Sequence, residues 1–159
     1  MVGSKGATEW EVRELAAEET HGLRRAVSAD GRPDLRSMHY ELDNAPSTWH
    51  LGAVDATGRV VAISSFYLVS YPLRPEAQPA VELTFMAVDA ALQGKGIGSA
   101  VMTEAIRRLK ATGAILLWAN ARDTALAFYE RFGFTAAPDS GCTPTATGRP
   151  HHLIELDLA

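Results

Sequence analysis

Cysteine is almost absent: Cys142 is the only one in 159 residues. An intrachain disulfide framework is therefore excluded, and a reducing compartment is the expected setting. No apolar run approaches the roughly eighteen residues of a membrane-spanning helix. The opening residues, MVGSKGATEW, lack the apolar stretch of a secretory signal. A cytoplasmic protein without membrane contact is expected. Clustered basic charge is missing as well. With a net charge of −4 and no basic run, the chain offers little to phosphate backbones, so no nucleic-acid partner is expected. No Cys/His spacing suits zinc, and no metal site is expected.

What is present suits one globular domain: 47% hydrophobic and 21% charged residues. Residues 1–9 read as a flexible tail and 10–159 as the domain. WEVREL (10–15) reads as a strand and AEETHGLRRAV (17–27) as a helix. The polar stretch 28–47 is too long for a bare connection and predicts a short helix or a lid. TWHLGAVD (48–55) and GRVVAISSFYLVS (58–70) form a hairpin, with Gly58 in the turn. VELTFMAVD (81–89) is an apolar strand. Ile97, Val101, Ala105 and Leu109, joined by Met102 and Ile106, mark an amphipathic helix that Gly113 ends. AILLWAN (114–120) is a buried-type strand. DTALAFYERF (123–132) is a short helix capped by Asp123 and stopped by Gly133. FTAAP (134–138) and HHLIELDL (151–158) close the order as two strands. The sum is mixed α/β with hairpins, not a repeated βαβ.

Between the strand at 81–89 and the helix from 97 lies LQGKGIGSA (92–100), three glycines in nine residues. A glycine-rich turn feeding a helix gathers main-chain N–H groups into a concave nest, and the helix dipole adds positive potential. Gly94, Gly96 and Gly98 let a phosphate approach, Lys95 adds charge and Ser99 a hydroxyl. A solvated turn is the bland alternative. The nucleotide loop G-x-x-x-x-G-K-[ST] is absent. A dinucleotide fingerprint fails too: its third glycine slot holds Ser99, the following strand ends in Asn120, and the loop does not follow the strand directly.

QGKGIG resembles the Q/R-x-x-G-x-G/A pyrophosphate loop of the GNAT superfamily of N-acetyltransferases, read as Gln93, Gly96 and Gly98. LTFMAVDAALQGKGIGSAVMTEAIRRL is similar to that family's strand, loop and helix, and LLWANARDTALAFYERFGF to the strand and helix that follow. The resemblance implies a mixed, mostly antiparallel GNAT-like central sheet with flanking helices. It also implies that the strands 81–89 and 114–120 are parallel and splayed, with acetyl-CoA as co-substrate. Main-chain groups of Met86, Ala87 and Val88 would meet the pantetheine arm. The loop Gln93, Gly94, Lys95, Gly96, Ile97, Gly98 and Ser99 would cradle the pyrophosphate. Asn120 would hold the cofactor from the other side.

Acetyl transfer to an amine requires a deprotonated amine, a stabilised thioester oxygen and a proton for the leaving thiolate. By the resemblance, Tyr129 is the acid and the Val88 N–H the oxyanion donor. Tyr129 could instead belong to a packing stripe with Leu126 and Phe132. Glu82, the only carboxylate inside the apolar strand, is the candidate base, with a histidine, water or a merely solvated carboxylate as alternatives. With unbroken alternation Glu82, Thr84, Met86 and Val88 share a face. His21 and His39 read as exposed; His50 or His152 could touch substrate. Cys142 has no assigned role.

Asp34, Tyr40, Glu41, Asp43 and Trp49 would suit a small amine or amino acid. The expected function is direct acetyl transfer from acetyl-CoA to a primary amine of a small molecule or amino acid, through a ternary complex. Protein or peptide acetylation and a non-catalytic acyl-CoA-binding module are the alternatives. A homodimer is compatible with all three.

Overall fold

The computed structural model describes residues 9–27, 41–137 and 151–159. The expected tail up to residue 8, most of the polar stretch after residue 27, and the loop carrying Cys142 lie outside the described residues. So do Asp34, His39 and Tyr40.

Seven strands and three α-helices are described: β1 (Trp10–Leu15), α1 (His21–Val27), β2 (Trp49–Asp55), β3 (Val60–Leu68), β4 (Ala80–Val88), α2 (Ile97–Thr112), β5 (Leu116–Arg122), α3 (Leu126–Glu130), β6 (Thr135–Ala136) and β7 (His151–Asp157). The sheet order is β1-β2-β3-β4-β5-β7-β6. Neighbours β1/β2, β2/β3, β5/β7 and β6/β7 are antiparallel, while β4/β5 is parallel. This is the mixed, mostly antiparallel α/β sheet expected from the sequence.

Two expectations are corrected locally. The first helix is split: Ala17–Thr20 is a 3-10 turn, stapled where Glu19 accepts from the Ala16 N–H at 2.8 Å, and the α-helix starts only at His21. Asp123 does not cap α3. It opens a 3-10 turn, Asp123–Ala125, and the cap is Ala125, with no side-chain bond.

The chain forms two compact units, one made of Met1–Tyr67 and Phe85–Arg107 over their described residues, the other of Leu68–Thr84 and Arg108–Ala159. In the first, β1, β2 and β3 form a meander. Its turn at Asp55–Arg59 holds Gly58 at φ +91°, where glycine alone is unstrained, and Asp55 accepts from the main chain of Thr57 and Arg59. Leu15, Val54 and Ile63 pack with Leu23, Val60, Phe85 and Ala87. In the second unit, Tyr71, Ala77, Ala80, Leu116 and Trp118 form a core, and Trp118 donates its indole N–H to the Val69 carbonyl at 2.9 Å. The β4/β5 register here runs from Ala80↔Leu116 to Leu83↔Ala119.

Helix α2 buries Ile97, Val101, Met102, Ala105 and Leu109, the stripe its periodicity predicts, and Gly113 at φ +86° follows its end.

Gly52 in β2 has no room for a side chain: a Cβ would run into the Ala62 carbonyl oxygen and stand 2.5 Å from Leu15 Cδ1. Gly52→Ala should therefore lose about 1–3 kcal/mol through overpacking. Urea unfolding at unchanged m-value is the measurement, and a loss near zero would mean that the meander yields at no cost.

Candidate functional site

The glycine loop is tied down before it begins. Asp89 follows β4, and its N–H donates to the Val61 carbonyl at 2.9 Å. Its carboxylate accepts from the Ala91 N–H at 2.9 Å and from Arg59 Nη1 at 2.6 Å, while Gln93 Nε2 donates back to the Val88 carbonyl at 3.3 Å. The Arg59 pair is exposed, and solvent screening leaves it little weight in stability. Its value here is in placement.

Gly94 and Gly96 then take φ +84° and +85°, the left-handed region, and a Cβ on either would meet nothing within 4 Å. The space beside both glycines is therefore open, and the main chain there is exposed. The Ala100 N–H bonds to the Gly96 carbonyl at 3.0 Å, which makes Gly96 the helix cap. The N–H groups of Ile97, Gly98 and Ser99 consequently have no acceptor within their own helix. Ile97 is buried and anchors the first turn, whereas Gln93, Gly94, Lys95 and Gly96 are exposed. Unpaired main-chain N–H groups at the start of a helix are the kind of group that can receive an anion.

Strand β4 departs from the alternation expected of it. Phe85 has φ +57°, a left-handed value unusual for a bulky residue, so Glu82 and Val88 do not follow one unbroken two-residue repeat. Met86, Ala87 and Val88, in the same unit as the loop, are half-buried.

Beneath Phe85 lies a network that sequence reading missed. The Arg24 side chain is fully buried. Its Nη1 and Nη2 donate to Asp43 Oδ2 and Oδ1 at 2.7 and 2.9 Å. Nη2 also reaches Ser65 Oγ at 2.9 Å. The Tyr67 hydroxyl donates to Asp43 Oδ1 at 2.5 Å. His50 Nε2 faces the Asp43 main-chain oxygen at 3.2 Å, and an oxygen of that kind only accepts, so Nε2 carries the proton. Nδ1 is hydrogen-bonded with Ser65 Oγ at 2.7 Å. Burial, the largest influence, raises the Asp43 carboxyl, yet hydrogen bonds from Arg24 and Tyr67 outweigh it and leave the group below its ordinary value.

Asp43 and His50 are therefore interior partners. Their expected places in an acceptor pocket are corrected, because both are buried and engaged. The signal available in the sequence was the pair Ser64–Ser65 inside an otherwise apolar strand. Trp49 stacks on Phe66 at 4.2 Å, Glu41 is exposed and His21 is half-buried.

The second unit holds the candidate proton carriers. Glu82 is half-buried, in register with Trp118, and burial pushes its carboxyl up to about 7. Asn120 is exposed between the buried Ala119 and Ala121 and pairs in register with Leu153. Tyr129 is the buried residue of α3, its ring edge-on to Phe128 and Phe134 at 5.2 and 5.3 Å. Burial pushes its phenol up to about 12 against an opposing pull from Arg122, so the phenol keeps its proton at neutral pH. His151 and His152 are both half-buried on β7. A hollow of about 440 Å³ in this unit is lined by Leu68, Val69, Ser70, Gln78, Pro79 and Ala80, and none of the expected site residues lines it.

Among the described residues no three His, Cys, Asp or Glu side chains converge as metal ligands, and no helix is long and apolar enough to cross a membrane.

Known proteins give these observations a family. The model of the Acetyltransferase (GNAT) family matches residues 9–134. The uncharacterised N-acetyltransferase YitI of Bacillus subtilis (strain 168) is 29% identical over 124 residues, 78% of this chain and 81% of that protein. The ribosomal-protein-S18-alanine N-acetyltransferase from Escherichia coli superposes with a TM-score of 0.74 at 19% identity, covering 95% of both chains. An aminoglycoside 6'-N-acetyltransferase complexed with coenzyme A superposes with a TM-score of 0.72 at 14% identity, covering 94% of this chain and 97% of the other. With a family match over most of its length and the fold to go with it, the chain belongs to the GNAT acetyltransferase family and is an acyltransferase that uses acyl-CoA.

Proposed function

We propose that the chain transfers the acetyl group of acetyl-CoA directly to a primary amine of a small molecule or amino acid, in a ternary complex. The observation that carries this reading is the glycine turn at Gln93–Ser99 feeding α2, with Gly94 and Gly96 left-handed and nothing within 4 Å of either missing Cβ. Residues 10–159 act as one catalytic domain, and the lone cysteine favours a cytoplasmic setting.

When bound, acetyl-CoA supplies an acyl carbon activated as a thioester. The chain's part is to bind, orient and move protons. Main-chain N–H groups from Gly94 to Ser99 hold the diphosphate, with Lys95 adding charge. Met86, Ala87 and Val88 offer main-chain groups to the pantetheine arm, and Asn120 adds a polar contact. The Val88 N–H donates to the acyl oxygen as charge develops there. Glu82, with a carboxyl near 7, accepts the proton of the acceptor ammonium. Tyr129 gives its phenolic proton to the leaving sulfur.

An amine acceptor suits this chemistry, and the choice of a small amine is not taken from likeness. One structural relative is named for a ribosomal-protein alanine and another for an aminoglycoside, and both share only the fold at 19% and 14% identity. Free-thiol release from acetyl-CoA across a panel of amines, amino acids and antibiotics is the direct test. Turnover on small amines supports the proposal; thiol release only with peptides would move the acceptor to protein. Stoichiometric binding without turnover would make the chain a sensor.

Gly96→Glu should abolish acetyl-CoA binding in calorimetry while the circular dichroism spectrum is retained, because the new carboxylate occupies the anion's place. Gly96→Ala, which adds only backbone strain, should weaken binding less; wild-type affinity in folded Gly96→Glu would sink the cradle. Tyr129→Phe should cut turnover by about 100-fold or more with little change in cofactor affinity. An undiminished rate would leave Tyr129 as packing alone. The Glu82 carboxylate forms as pH rises through about 7, so kcat/KM should climb across that range. Glu82→Gln should flatten this limb, and an unaltered profile would assign the base elsewhere.

A further inference from the structure

We infer that Arg24 is a positioning residue for the main chain of Met86–Val88, acting through the ring of Phe85. The inference rests on the acyl-CoA reading above, and every group it uses belongs to the first unit. Arg24 Cζ stands 3.9 Å from the Phe85 ring centroid, close enough for a cation–π contact. The guanidinium plane cannot turn, because Asp43 takes both of its terminal nitrogens and Ser65 takes a further bond. The ring therefore lies against a fixed surface.

Phe85 needs such a surface. Its φ of +57° is sparsely populated for a bulky side chain, and a residue held there persists only where its surroundings over-determine it. The conformation sets the direction in which the chain leaves for Met86, Ala87 and Val88. At the far end of that segment Asp89 is fastened to the Val61 carbonyl and to Arg59. The four residues from Phe85 to Val88 are thus held at both ends, by Arg24 through a ring and by β3 through a main-chain bond.

Stability alone does not account for the arrangement. A buried ion pair is often matched or bettered by apolar residues of similar volume. Such residues would fill the space without supplying a rigid cationic plane for the ring.

The test uses the full chain with coenzyme A as the probe in calorimetry, and acetyl-CoA in steady-state kinetics. Arg24→Met with Asp43→Asn removes both charges together and so leaves no lone buried ion. Coenzyme A affinity should fall about tenfold in the folded variant, with a matching rise in KM for acetyl-CoA. Phe85→Leu, which keeps the ion pair and removes only the ring, should weaken binding in the same direction. A purely structural role would lower Tm and leave the affinity of the folded protein unchanged. Wild-type affinity in folded Arg24→Met/Asp43→Asn overturns the inference. Should that variant fail to fold, Phe85→Leu decides, and wild-type affinity there overturns it whatever the double variant does. Failure of the wild type to bind coenzyme A would instead sink the acyl-CoA reading itself, so the two failures are distinguishable.

Discussion

A guanidinium taken out of water has to be answered there, and Arg24 is answered by Asp43. Truncating one partner of such a pair strands a charge and costs about 3–5 kcal/mol, although an apolar replacement of both is often tolerated. The pair therefore acts chiefly as a specification of geometry. It joins α1 to the segment before β2 and, through Ser65 and Tyr67, to β3. His50 extends the same chain of hydrogen bonds back to the Asp43 main chain. One buried cation thus fixes several elements of its unit, and the ring of Phe85 rests on it.

The chain handles left-handed backbone in two different ways along one short stretch. Gly94 and Gly96 adopt positive φ with no Cβ to obstruct it, and the space beside each is open. Phe85 adopts it against a cost of about 1–3 kcal/mol, which its neighbours must offset. In the first case the residue type is the device. In the second the device is the packing around the residue. This difference also separates what a reader of the sequence sees from what remains hidden.

The strand Trp10–Leu15, the hairpin of β2 and β3 with Gly58 in its turn, and the helix from Ile97 to its stop at Gly113 were all legible. Each is written in local periodicity and in punctuation by glycine. The 3-10 pieces at Ala17–Thr20 and Asp123–Ala125 were read as parts of α-helices, since their residues suit either winding. At α3, a good capping residue type was mistaken for a cap. The helix begins two residues later than a cap at Asp123 requires, with Ala125 in the capping position. The glycine turn between β4 and α2 was legible as a motif, whereas Asp43, expected among the groups that would suit an amine, lies buried beside Arg24.

By itself the sequence determined the order of elements, the amphipathic stripe of α2 and the unencumbered main chain at Gly94 and Gly96, because glycine's freedom and apolar spacing are properties of neighbouring residues. Tertiary structure alone decided the rest. Arg24 meets Asp43 across nineteen positions and Tyr67 across forty-three, and burial raises the Glu82 carboxyl and the Tyr129 phenol. Those outcomes depend on which groups lose their water together, and only the folded chain sets that.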